Sequence, residues 1–306
     1  MYLNEISVGG GAVEALVLSI EERTTSSGKP YLLVTVSDKN STEVLKYWNT
    51  SMESSGLELY KIYNFTLKYS MFNEKKDLSI VSKELVSGAD VLQYVKHAPV
   101  ETTTLFNNIL AITGTIEDEG LRTLVSTIYS GFKEKLLYWA AAKNHHHNYV
   151  GGLLWHTYRI VKSADLMQQV YTAVDRDVVL AACALHDVGK LEEFFTNEVG
   201  AVEYTEKGTL FGHLLLGYEI VKKIANKLSA NGVVFEQNKL TNVLHCLVSH
   251  HGKPEWDAIK APATLEAEFV FMRDYEDSQL TVLEEGIQNM ESGAFGYVGG
   301  SLMHKF

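Results

Sequence analysis

The chain has 306 residues, 46% apolar and 21% charged, with a formal net charge of −11 from 27 basic and 38 acidic side chains. That is the composition of an ordinary globular protein, and the length exceeds what one hydrophobic core usually serves, so two domains are expected. The acidic balance argues against nucleic-acid binding through a broad basic surface, but not against a local basic groove or a site where cations supply the charge.

In chain order, the first 88 residues read as strands. Residues 12–24 are a β-rich run, followed by the turn cluster Ser26-Ser27-Gly28-Lys29-Pro30. Next, Leu32, Val34 and Val36 alternate with Tyr31, Leu33 and Thr35, the period of a strand. A polar turn at Asp38-Lys39-Asn40-Ser41 leads into residues 42–49, and an irregular connector follows. Two more runs, 63–72 and 77–85, flank a turn at Asn73-Glu74-Lys75-Lys76. Five short strands of this kind suit a small closed barrel of OB type, with another small β-module as the alternative.

Residues 89–105, with Pro99 and Glu101-Thr102-Thr103-Thr104, read as a linker. Beyond it the apolar spacing becomes three and four, giving helical runs over 121–142, 153–171, 177–187, 213–228, 239–251 and 263–287. The expected fold is therefore α+β in two domains: an OB-type β-barrel over 1–88, a linker over 89–105, and an all-α domain over 106–306. No apolar run approaches the roughly 18 to 20 residues that span a bilayer, so no membrane partner is expected. The segment MYLNEISVGGG does not have the pattern of a signal peptide. Cys183 and Cys246 lie in apolar helical patterns and read as core residues, which fits a cytoplasmic, reducing compartment.

The chemistry-bearing residues are concentrated in the helical part. Of eleven histidines, nearly all lie between Asn144 and Gly252, and they favour helix ends beside Asp and Gly. His156 is near the start of one helix, His186-Asp187 ends another, His213 follows Gly212, His250-His251 ends a fourth, and Asp274 lies on the next with Asp277 at i+3. Neutral imidazole mixed with carboxylate suits Mn2+, Co2+, Fe2+ or Zn2+. Two such cations bridged by a carboxylate can bind both non-bridging phosphate oxygens and present the attacking oxygen in line with phosphorus. One His-Asp pair arises easily by chance. The ordered series of His, His-Asp-x-Gly-Lys, Gly-His, His-His-Gly and Asp on separate helices does not.

These motifs resemble the HD superfamily of metal-dependent phosphohydrolases, and within it the YhaM-like 3′-to-5′ exoribonucleases, which join an OB-fold to an HD domain. The matching segments are GKPYLLVTVSDKN in the barrel, then HHNYVGGLLWHT (146–157), LHDVGKLEEF (185–194), GHLLLG (212–217), SHHGKPEW (249–256) and RDYEDSQL (273–280). The resemblance implies two divalent cations, Mn2+ foremost. His156, His186, Asp187 and Asp274 would ligate one; Asp187 would bridge to a second held by His213 and His250. It also implies a catalytic role for Asp187, and for His251 a place as a further ligand, as a donor to the scissile phosphate or the leaving oxygen, or as a residue that orients a ligand. Lys190, four residues after His186 and following Gly189, can itself point back toward bound phosphate as a catalytic cation. His146 and His147 would touch the substrate strand or support His156. His245 reads as a core or supporting residue. The family usually carries a DNLDA-like run where this chain has Asp274-Tyr275-Glu276-Asp277-Ser278; the departure keeps both aspartates.

OB-folds bind single strands by stacking bases on aromatics along a basic groove. Candidates are Tyr31, Tyr47, Trp48, Tyr69 and Phe72 with Lys29, Lys46, Lys68, Lys75 and Lys76, of which Tyr31, Trp48 and Lys46 are singled out; roughly half of the aromatics should be core. Through residue 88 there are 9 basic and 11 acidic residues against 18 and 27 beyond it, so the barrel is the less acidic part. The expected activity is 3′-to-5′ hydrolysis of single-stranded RNA, with single-stranded DNA as a second substrate, releasing nucleoside 5′-monophosphates. A phosphohydrolase of a small nucleotide or cyclic dinucleotide is the rival, and an OB-based binding module with a structural HD domain is a third reading. Family analogy also suggests a homo-oligomer.

Overall fold

A computed structural model of the chain describes residues 1–38, 40–72, 75–142, 149–197 and 200–306, apart from the side chains of Phe72 and Lys75. It divides into two units, Met1–His97 and Ala98–Phe306. The division falls inside the expected linker. That segment holds a 3-10 turn at Val91–Tyr94 in the first unit, and the first helix of the second unit begins at Thr102. Tyr94 donates its hydroxyl to Glu14 at 2.7 Å, which ties the turn to the barrel.

In the first unit β1 (Gly11–Thr24), β2 (Pro30–Ser37), β3 (Thr42–Trp48), β4 (Ile62–Phe72) and β5 (Lys75–Leu85) close in the order β1-β2-β3-β5-β4, with α1 (Met52–Ser55) between β3 and β4. The β3–β5 pairing that closes the barrel is parallel and the other pairings are antiparallel. This is the OB topology. A register shift between Val17 and Ser19 bends β1, so that its first half pairs with β4 and its second with β2. The alternation read in the sequence sorts as a pleat requires: Leu32, Val34, Val36, Leu45 and Phe65 are wholly buried.

The second unit contains α2 (Thr102–Thr113), α3 (Glu119–Gly131), α4 (Lys133–Leu136), α5 (Gly152–Met167), α6 (Arg176–Leu185), α7 (Lys190–Glu193), α8 (Glu206–Ala230), α9 (Gln237–Ser249) and α10 (Leu265–Gln288). Two hairpins accompany them, β6 (Phe194–Thr196) with β7 (Val202–Tyr204) and β8 (Phe295–Val298) with β9 (Ser301–His304). The run read as one helix over 121–142 breaks after Gly131 and gives only the single turn α4. The centre of the unit is α6, buried from Asp177 to Leu185 and packed against α3, α5, α9 and α10. Asp175 caps its start by accepting the Asp177 and Val178 amides. Among the described residues, no helix is long and apolar enough to cross a membrane. Cys183 and Cys246 are free and buried.

Candidate metal centre

Helix termination sets the site. The last carbonyls of an α-helix have no intrahelical donor, and here imidazoles supply one. His186, the C-cap of α6, turns Nδ1 to the Cys183 carbonyl at 2.8 Å; His250, the C-cap of α9, turns Nδ1 to that of Leu247 at 2.9 Å. Each ring therefore carries its proton on Nδ1 and points an Nε2 lone pair inward. The two carbonyl-bearing helix ends also bring negative partial charge to one place, which favours a cation.

The other rings are fixed in the same sense. Gly212 (φ 66°, ψ 161°) breaks α8, a conformation glycine adopts without strain. The break frees the His213 amide to donate to Glu193 Oε1 at 3.1 Å, while His213 Nδ1 meets the same carboxylate at 3.2 Å. His156 on α5 places Nδ1 2.7 Å from Asp277 Oδ2 on α10, and Arg159 pairs with the other Asp277 oxygen. His251 donates from Nδ1 to the Trp256 carbonyl at 2.8 Å.

Four of the Nε2 atoms consequently face Asp187, itself buried, and that of His251 lies against His213. Asp187 Oδ2 lies 3.3 Å from His186 Nε2 and 3.5 Å from His156 Nε2; Oδ1 lies 3.5 Å from His213 Nε2 and 3.8 Å from His250 Nε2. Asp274 Oδ1 is 3.3 Å from His156 Nε2. Pairs of Nε2 atoms crowd together, His156 with His186 at 3.2 Å and His213 with His251 at 3.3 Å. Two lone pairs so directed repel unless a proton or cation lies between them. His250 Nε2 is wholly buried and has no hydrogen-bond partner among the described residues. Two ligand groups result, His156-His186-Asp187 and His213-His250-His251, and their donor chemistry suits a divalent transition-metal ion.

Comparison with known proteins agrees with this geometry: residues 153–279 match the family model for the HD domain. The chain carries an HD domain. Along nearly its whole length it is also related to 3′-5′ exoribonucleases named YhaM. That of Oceanobacillus iheyensis is 28% identical over 276 residues, 89% of this chain and 85% of that protein. One from Listeria monocytogenes is 26% identical over 284 residues, 92% and 88% of the two chains. The second OB-fold domain of replication protein A from Methanococcus maripaludis superimposes on 29% of this chain and 97% of its own at 12% identity, with a TM-score of 0.24.

Within the HD domain, electrostatics follow from burial and pairing. Burial would raise the Asp187 pKa, but Lys190, with Nζ 2.7 Å from Oδ2, and the neighbouring imidazoles hold it well below the carboxylate range. Burial works against an imidazolium at His156, yet Asp274 and Asp277 outweigh it and raise its pKa to about 9. A proton on His156 thus stands where a cation would bind. Burial depresses the pKa of His250 strongly, and that of His251, helped there by His213.

The HD domain brings together His156, His186, Asp187, Lys190, His213, His250, His251 and Asp274. The Lys190 carbonyl accepts from the Trp139 indole at 2.9 Å, which anchors the start of α7. His146 and His147 lie outside the described residues. His245 instead accepts the Ala263 amide at 2.9 Å and fastens the approach to α10. The sequence reading missed Glu193 and did not assign Asp277 its role. Each carboxylate orients an imidazole from the side away from Asp187, and the available signal was a carboxylate one helical turn from a motif residue.

On the barrel, Tyr31 and Trp48 are cross-strand partners whose rings stack at 4.8 Å and 29°. Lys46 Nζ is 5.5 Å from the Trp48 ring and 2.7 Å from Asp77. Tyr47 and Tyr69 pack half-buried against the barrel core.

Proposed function

We propose that this chain is a metal-dependent 3′-to-5′ exoribonuclease that shortens single-stranded RNA, and single-stranded DNA as a second substrate, releasing nucleoside 5′-monophosphates. The observation that carries the reading is the division of Asp187, whose Oδ2 faces one imidazole pair and whose Oδ1 faces another. That supports a dinuclear centre with Asp187 as the bridge. His156, His186 and Asp274 would complete one site, and His213, His250 and His251 the other. Two divalent ions there, Mn2+ foremost, would neutralise the phosphodiester and activate water for in-line attack. The direction of cleavage and the RNA substrate rest on kinship with the YhaM exoribonucleases.

The chain's own residues have distinct tasks. Asp277 and Glu193 fix the tautomers of His156 and His213. His251 donates its Nδ1–H to the Trp256 carbonyl and keeps a lone pair on Nε2, which favours ligation over donation to the leaving oxygen. Lys190 balances Asp187 and lines the same cavity, which supports a contact with the entering phosphate. The Tyr31–Trp48 stack with Lys46 is the proposed contact for bases on the barrel. The two buried free thiols fit a cytoplasmic setting.

The test is direct. The full chain with Mn2+ is incubated with 5′-labelled single-stranded RNA beside Asp187→Ala, and metal content is measured on both. A ladder receding from the 3′ end, absent in a variant that has lost about two metal equivalents per chain, supports the proposal. Intact RNA would sink it.

A further inference from the structure

The cavity over the metal cluster encloses about 900 Å³, within the range of small-molecule sites. Its polar side is the cluster itself, with Asp187, His213 and Asp274; another part of its lining is aromatic, with Trp256, Phe271 and Tyr275. The Trp256 and Tyr275 rings are almost parallel, 5.5 Å between centroids and 2° between planes. They are nevertheless 43% and 45% exposed, so the pair is no core contact. Phe271, one turn before Tyr275 on α10, tilts against both rings at 6.2 and 5.9 Å and backs the pair.

The pair is rigidly tied to the cation ligands. Tyr275 follows Asp274 in the chain. Trp256 ends a one-turn 3-10 helix whose carbonyl takes the His251 Nδ1 proton, so its backbone is held to the cluster while its ring faces the cavity. Lys253 Nζ lies 4.7 Å from the Trp256 ring centroid and adds positive charge at this edge. A ligand that satisfies such a cavity has an anionic group at one end and a flat ring at the other.

We propose that Trp256 and Tyr275 form a stacking platform for the base of the substrate's terminal nucleotide, holding that nucleotide while its phosphodiester lies on the metal cluster. This rests on the nuclease reading above and assigns it a substrate contact in the HD domain, separate from the Tyr31–Trp48 stack of the barrel. Stacking accepts any base, since every base has a π-face, so the platform suits degradation without sequence preference.

The test compares ligands with and without a base, on the full chain with Mn2+. Calorimetric titration with AMP and with ribose 5-phosphate measures the base's contribution for wild type, Tyr275→Ala, Tyr275→Phe and Trp256→Ala. In parallel, RNAs ending in an intact or an abasic 3′ nucleotide are assayed for shortening. Wild type is expected to favour AMP by about five- to a hundred-fold, as base stacking on an aromatic predicts. The preference should collapse in both alanine variants and survive in Tyr275→Phe, with the abasic RNA following the same order. Equal affinities in wild type, or a preference retained by both alanine variants, would overturn the platform even if RNA is degraded. Intact RNA with an AMP preference lost in Tyr275→Ala would refute the nuclease and leave the platform standing.

Discussion

At the scale of single residues, the site is an exercise in controlling where imidazole protons sit. Five rings are anchored through Nδ1 by carbonyls or carboxylates; four then face Asp187 with Nε2, and His251 turns its own to His213. Orienting partners of this kind are typically worth 10- to 100-fold in metal affinity. Asp277→Asn should therefore weaken metal binding by about that factor while leaving the helical circular dichroism signal unchanged. Competition titration against a fluorescent chelator reads the effect, and an affinity equal to wild type would assign Asp277 only to its ion pair with Arg159. The inward-facing residues were legible because His and Asp side by side at the end of an apolar helix have few structural reasons to be there. Glu193 and Asp277 were not, since a carboxylate on an amphipathic helix looks the same whether it faces solvent or an imidazole ring. The sharing of Asp187 between two imidazole pairs depends on the meeting of five helices, which no local spacing encodes.

At the scale of elements, close approach matters as much as the ligands. A Cβ at Gly189 would lie 2.0 Å from the His213 carbonyl oxygen and 2.5 Å from the Gly217 amide nitrogen, both backbone atoms of α8 that cannot swing away. Gly189→Ala should thus push α7 and α8 apart, displace His213 and lower metal occupancy together with the melting temperature. Occupancy matching wild type in a folded variant would refute the packing argument. A second contact joins helix starts: Asp177 of α6 accepts the Glu117 and Asp118 amides at 2.9 Å and faces Lys239. Burial would raise its pKa, but these partners outweigh it and lower it. A depressed folded value means the stabilisation is complete above the ordinary value of about 3.9 and disappears as pH falls through the folded value. Asp177→Asn should cost about 1 to 3 kcal/mol at pH 7. In urea melts the gap to wild type should narrow as pH falls below the ordinary carboxylate value, and a gap that stays constant down to full protonation of the carboxyl would contradict this account. Barrel strands were readable because a pleated wall with one buried face imposes a period of two. The break at Gly131, the helical turns that precede Gly212 and the β6–β7 and β8–β9 hairpins reflect tertiary packing, and periodicity does not announce them.

At the scale of the whole molecule, a net charge of −11 and an anionic substrate pose a problem that each unit answers differently. The barrel part is close to charge balance, with 9 basic against 11 acidic residues through residue 88, and carries an exposed tryptophan in an aromatic stack beside Lys46. In the proposed function the helical unit would meet phosphate with its cluster of imidazoles and carboxylates and draw the balancing positive charge from cations. The two-part plan was visible in the change of period from two to three or four near residue 100. The division between His97 and Ala98 was less so, because a 3-10 turn and a helix start occupy what composition marks as a linker.

The orphaned Nε2 of His250 has a consequence for the life of the protein rather than its chemistry. A buried nitrogen without a partner, beside crowded lone pairs, is a cost that the ion-free fold carries and the loaded fold does not. Cations bound there would act as cross-links among α5, α6, α8, α9 and α10, and any ligand of the native state alone raises its stability, by about 2.7 kcal/mol at a hundred times the dissociation constant. Chelation should lower the melting temperature by several degrees and Mn2+ should restore it, whereas Asp187→Ala should melt at one temperature with or without the ion. A wild-type melting temperature indifferent to chelator would disprove the coupling. Where it holds, metal starvation does more than silence the site: it feeds the unfolded chain to proteases, and the amount of the protein comes to track the supply of its ion.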